Sequence, residues 1–214
     1  MIRISLSFAR TFAAVALLGA AVLPASSEVV FSDLSFGDTT GAAVSGPGGF
    51  YGAGQTGYAA GEFTTTSAIT LTDALVHVYT YANSGSPLFS AYLAPDNSGV
   101  PGADLYDFAT GSAPVGDNST PVTLSGSYDL LANTTYWLVL TPDNSSSSVT
   151  WEFGGTPTSS SYAQSSDGSN WTAGSGQAIQ FEIDGQASAP EPASFLLVAP
   201  ALLGAYFVRR RRSA

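Results

Sequence analysis

All six basic residues of this 214-residue chain lie at its two ends, Arg3 and Arg10 near the start and Arg209, Arg210, Arg211 and Arg212 near the finish. Positively charged flanks resist translocation, so both ends are expected to stay on the cytoplasmic side while the middle is threaded across the membrane. Arg3 and Arg10 precede the apolar stretch Thr11 to Leu23, and Ala25-Ser26-Ser27 offers small residues ahead of a cut before Glu28. Residues 1–27 are therefore expected to be a secretory signal peptide.

The exported part, residues 28–189, is then a polyanion. Of sixteen acidic residues only Glu191 lies outside it, which leaves fifteen carboxylates with no Lys, no Arg and a single His, His77. Such a surface cannot neutralise phosphates, which argues against nucleic acid and anionic lipid as partners. It also has no internal Lys or Arg salt bridge to make, so each carboxylate must be solvated, hydrogen-bonded to backbone or bound to a cation. The absence of Cys removes disulfide and thiolate chemistry. About 160 residues suffice for one domain with its own core.

At the other end, Pro190-Glu191-Pro192 leads without a break into the apolar run Ala193 to Val208 and then the four arginines. As a helix this 16-residue run, residues 193–208, covers roughly 24 Å, short of the ~30 Å hydrocarbon core, and it carries Pro200 near its middle. That length suits a transient stop in the inner membrane better than a permanent anchor. Residues 190–214 resemble the PEP-CTERM sorting signal, in which Pro190, Glu191 and Pro192, the helix and Arg209 to Arg212 occur in this order. The resemblance implies recognition by an exosortase-type membrane protease. It also implies an inner-membrane-anchored precursor and a mature form at the cell surface or outside a Gram-negative bacterium. An ordinary single-pass C-terminal anchor is the alternative that the tail's physics also allows.

Between the two ends helix formers are scarce and apolar residues recur at every second position, the signature of strands half-buried in a sheet. Ala178 to Asp184 alternates Ile179, Phe181 and Ile183 toward a core with Gln180, Glu182 and Asp184 toward water. Thr135 to Thr141 sets Tyr136, Leu138 and Leu140 on one face and Trp137 and Val139 on the other, a strand buried on both sides. Val149 to Phe153, Ile69 to Tyr81 and Leu88 to Ala94 supply further strands, with shorter ones at Glu62 to Thr66 and Pro121 to Ser125. The Gly-rich stretch Gly41 to Gly61 is expected to be an exposed, irregular loop. These patterns predict an all-β fold, a single jelly-roll-like β-sandwich flanked by the signal peptide and the transmembrane sorting helix. The series Gly61-Glu62-Phe63-Thr64-Thr65, Pro95-Asp96-Asn97-Ser98-Gly99, Tyr136-Trp137-Leu138-Val139-Leu140 and Gln180-Phe181-Glu182-Ile183 resembles the choice-of-anchor R domain. That resemblance implies a β-sandwich in an exported surface protein and no catalytic residue.

The residues of this region bear on three chemistries. His77 lies among apolar neighbours, and Asp73, four residues back, would be about 13 Å away along an extended strand. No nucleophile, base and orienting carboxylate come together, and no spacing marks a glycosidase pair among the carboxylates, so no catalytic residue is expected. Calcium takes six to eight hard oxygens. The turns at Asp96-Asn97, Asp143-Asn144 and Asp167 supply that donor type, although Asp and Asn are also default turn residues. Tyr51, Tyr58, Tyr162 and Trp171 lie in Gly- or Ser-rich segments, where a ring could stack on a sugar or close the end of a core. The expected function is a non-enzymatic surface or matrix protein associated with exopolysaccharide. A carbohydrate-binding module is the alternative, and a secreted glycoside hydrolase a more distant one.

Overall fold

A computed structural model describes residues 27–34, 40–49, 57–116, 120–154, 161–174 and 178–187. Residues 1–26 of the expected signal peptide, Tyr51, and the expected sorting tail with Pro190 to Pro192, the helix 193–208 and Arg209 to Arg212 lie outside the described residues. Among the described ones there are fifteen strands and no helix. They are β1 (Glu28–Ser32), β2 (Gly41–Ser45), β3 (Tyr58–Thr64), β4 (Ile69–Val76), β5 (Val78–Tyr79), β6 (Leu88–Pro95), β7 (Tyr106–Asp107), β8 (Gly111–Ser112), β9 (Val122–Leu130), β10 (Thr135–Pro142), β11 (Ser148–Gly154), β12 (Tyr162–Ser165), β13 (Trp171–Gly174), β14 (Ala178–Ile179) and β15 (Phe181–Ala187). The described part of the chain is all-β, and its packed sheets are consistent with a β-sandwich.

One sheet runs β1-β15-β4-β9, and a seven-stranded sheet runs β13-β12-β3-β10-β6-β7 with β8 also on β6. A third runs β14-β11-β2, with β5 also on β11. The core lies where the inner faces meet: Phe181 of β15 packs against Phe63 of β3, ring centroids 6.1 Å apart, and against Trp151 of β11 at 6.0 Å. Gly61 makes the first contact possible, since a Cβ there would stand 2.5 Å from the Phe181 ring. As the alternation predicts, β10 is buried on both faces. Tyr136, Leu138 and Leu140 join the main core, while Trp137 and Val139 form a second cluster with Ala60, Ala94 and Ala163 on the outer side of the seven-stranded sheet.

Three expectations are corrected. The Gly-rich stretch is not all loop: Gly41–Ser45 is strand β2, paired with β11, and Ala42 and Val44 are fully buried. Its small side chains fit between packed sheets where larger ones would not. The run Ile69 to Tyr81 is two strands, because the chain leaves β4 in one sheet and enters β5 in another, with His77 between them. A register shift between Leu71 and Asp73 resets the alternation, so Ala74 and Val76 bury after Ile69 and Leu71. The run Ala178 to Asp184 divides in the same way at Gln180, which is fully buried rather than facing water.

Candidate functional site

His77 and Gln180, the two residues at which the chain changes sheet, meet each other and Glu152 of β11. Their backbones close a ring. The His77 N–H donates to Gln180 O (3.2 Å), the Gln180 N–H to Glu152 O (2.9 Å), and the Glu152 N–H to His77 O (3.0 Å). Among the side chains, His77 Nδ1 stands 3.1 Å from Glu152 Oε2 and 3.2 Å from Gln180 Oε1. Gln180 Nε2 donates to Phe153 O, which fixes the amide's orientation. With acceptors on both sides, Nδ1 carries the proton. The carboxylate that the sequence could not supply to His77 thus comes from a strand 75 residues later. All three side chains are 0–1% exposed, so the cluster lies in the interior, at the corner where the chain passes between sheets.

The accessible chemistry lies at the other end of β12. Ser165 pairs with Trp171 across the β12–β13 hairpin, whose turn is tied by Asp167. Asp167 Oδ1 accepts the N–H groups of Ser169 (2.9 Å) and Asn170 (2.7 Å) and the Ser165 hydroxyl (3.0 Å), and Oδ2 accepts Asn170 Nδ2 (2.7 Å). These bonds, the backbone N–H of Asn170 foremost, hold its carboxyl well below the usual carboxylate range. Gly168 supplies the turn's positive φ of 73°. It also lies against Tyr58: a Cβ there would come 3.3 Å from the ring. Beside Tyr58 opens a cleft of about 410 Å³, lined by Tyr58, Gln164, Ser165, Ser166, Asn170 and Thr172, with Ala43 and Gly57 behind. Every lining residue is uncharged.

Strand register places more aromatic surface nearby. Tyr58 and Trp171 both pair with Ser165, and Tyr58 shares a face with Ala60, which lies across Val139 from Tyr92. Trp171, Tyr58 and Tyr92 therefore occupy one face of the seven-stranded sheet, the outer one, all half-buried. Burial, together with Asp104, Tyr58 and Asp107, pushes the Tyr92 hydroxyl up to about 12, so it stays protonated at any physiological pH. Tyr162 is on the opposite face, packed against Phe153 at 5.2 Å. Of the sequence-predicted aromatic residues, then, Tyr58 and Trp171 come together and Tyr162 closes the core edge.

The candidate calcium donors are not brought together. Asp96 and Asp143 follow the ends of β6 and β10, which pair antiparallel, so the two carboxylates lie at opposite ends of the sheet. Asp96 Oδ1 accepts the Gly99 N–H and the Trp137 indole N–H, both at 3.0 Å. Asp143 Oδ1 accepts the hydroxyls of Ser90 and Thr110 at 3.2 Å. Asn97 lies in the Asp96 turn, its N–H donating to Val100 O, and Asn144 Oδ1 accepts the Ser146 N–H. Among the described residues no group of three or more His, Asp or Glu side chains is placed to hold a metal ion. These donors, divided among separate turns, do not make one six-to-eight-oxygen shell.

No family model matches this chain, and no curated protein does. The site must therefore be read from its own chemistry. Sequence reasoning missed Tyr92, Gln164, Ser165 and Thr172 as neighbours of Tyr58, and Glu152 and Gln180 as partners of His77. The one available signal was the period-two pattern, which sets Tyr92 and Ala94 on the face opposite Ala91 and Leu93.

Proposed function

We propose that this chain is an exported, non-enzymatic surface or matrix protein associated with exopolysaccharide. Residues 1–27 direct export, and residues 190–214 sort the precursor through an exosortase-type protease after a transient stay in the inner membrane. In this reading the β domain is a jelly-roll-like sandwich between the two targeting segments. The observation that best supports it is the cleft beside Tyr58, whose lining of amides and hydroxyls around a ring suits a sugar polymer and contains no carboxylate. The exported part's lack of Lys and Arg fits a location away from nucleic acid and anionic lipid.

Trp171 and Tyr92, which share the outer face of the sheet with Tyr58, favour the second reading, a carbohydrate-binding module proper. Intact-mass spectrometry of surface material, from cells with and without the processing protease, tests the sorting half of the proposal. The mature form is expected to begin near Glu28, end near Pro190 and lack the arginine cluster. A surface form that retains Arg209 to Arg212 would sink it.

A further inference from the structure

Resting on the carbohydrate-binding reading, we propose that the outer face of the seven-stranded sheet binds a neutral polysaccharide. The chain of sugars would lie across the strands, over Trp171, Tyr58 and Tyr92. Trp171 is on β13, Tyr58 on β3 and Tyr92 on β6, each two strands from the next in the order β13-β12-β3-β10-β6. With neighbouring strands about 4.8 Å apart, successive rings are displaced by roughly 10 Å across the sheet. Between and beneath them lie Ala163, Ala60, Val139 and Trp137, all fully buried, with Trp171 and Tyr92 packed against this layer. The half-buried rings stay within reach of solvent, and an extended polymer can lie across the face and meet a ring at intervals. Gln164 and Thr172 of the cleft pair with Ala59 and with each other, so they belong to the other face of the sheet and lie off this path.

Charge decides which polymer. The ring-bearing face is flanked by Glu62, which lies opposite Trp137, and by Asp107, which lies opposite Tyr92. An acidic polysaccharide would bring its carboxylates or sulfates against these groups, and residues 28–189 contain no Lys or Arg to offset the repulsion. Neutral sugar hydroxyls instead donate to Glu62 and Asp107, and such charge-assisted bonds are the stronger kind.

The test uses the full-length protein in a sugar-free detergent. It is passed over immobilised neutral polysaccharides (β-glucan, mannan, galactan and xylan) and acidic ones (alginate and polygalacturonate). At least one neutral polymer is expected to retain the protein, with an affinity that changes less than about twofold between low and physiological salt. Trp171→Ala and Tyr58→Ala are each expected to weaken retention about tenfold, and Trp171→Phe to restore most of it. Gln164→Ala, which truncates an exposed side chain on the other face of the sheet, is expected to leave retention unchanged, and a loss there equal to that of Trp171→Ala would count against the proposal. Retention by no neutral polymer, retention by the acidic ones alone, or equal binding by the wild type and all of these variants overturns the proposal. Because the assay reads binding and the mass measurement reads processing, either reading can fail while the other stands.

Discussion

The corner at Glu152 and the hairpin at Asp167 each hold one carboxylate in a domain without Lys or Arg, and they hold it in opposite ways. Asp167 is satisfied within its own turn, by residues no more than three positions away, and stays exposed. Glu152 is fully buried and meets His77 and Gln180, which the chain delivers from 75 residues before and 28 residues after. A carboxylate bonded to its own backbone depends on the rest of the fold for little. A carboxylate taken out of water between sheets depends on every segment that encloses it.

The largest expected effect tests the corner. Glu152→Ala should destabilise the domain by about 3–5 kcal/mol, because it leaves a buried imidazole and a void behind. Glu152→Gln should cost clearly less, since the amide oxygen can still accept from Nδ1. Chemical denaturation reads both. A Glu152→Ala cost below about 1 kcal/mol would mean that the corner relaxes and that the contrast with the hairpin is false.

At the hairpin, Gly168→Ala should cost about 1–2 kcal/mol, from the left-handed backbone and the close approach to Tyr58. Hydrogen exchange should show the loss confined to the β12–β13 hairpin. A global increase in exchange would show that the hairpin is coupled to the core and not local.

Smaller still is the effect of acid. The Asp167 pKa is depressed in the folded state, so its contribution is fully present above the unfolded carboxylate value of about 3.9. It is lost as pH falls through the folded value. Asp184 is shifted the other way, raised by burial and by Glu182 and Asp73, and it faces Asp73 directly across β15 and β4. Its ionisation weakens the fold as pH rises through that raised value. Asp184→Asn is therefore expected to stabilise at neutral pH by a few tenths of a kcal/mol, and Asp167→Asn to flatten the acid limb of a melting-temperature profile. Profiles that superimpose on the wild type for both variants would remove the electrostatic difference between these sites.

The smallest expected effect concerns calcium. With donors divided among separate turns, millimolar Ca²⁺ should raise the melting temperature no further than NaCl at equal ionic strength, both acting by screening the excess negative charge. An excess with Ca²⁺ that Asp96→Ala abolishes would restore the turns as a metal site.

How much was legible follows from the same contrast. The turn at Asp167-Gly168 and the two-sided burial of Thr135 to Thr141 could be read because side-chain alternation and turn chemistry act over a few residues. Gly41–Ser45 could not, because what makes it a strand is pairing with β11, more than a hundred residues away in sequence, and its small residues carry no alternation signal. At the candidate site, Tyr58 and Trp171 were visible as rings outside the long alternating runs. That they share a face with Tyr92 depends on the register of β3, β10, β12 and β13.

By itself the sequence determined the absence of Lys, Arg and Cys from residues 28–189, the all-β class and the chemistry of the turns, each a property of composition or of neighbours along the chain. Only the tertiary structure decided that the chain changes sheet at His77 and Gln180, that Glu152 is buried between them, and that Tyr162 turns inward while Tyr58 faces out. Those outcomes depend on which distant strands pair and in what register. A register shift of one residue sends every side chain of a strand to the other face, and no local pattern specifies the partner.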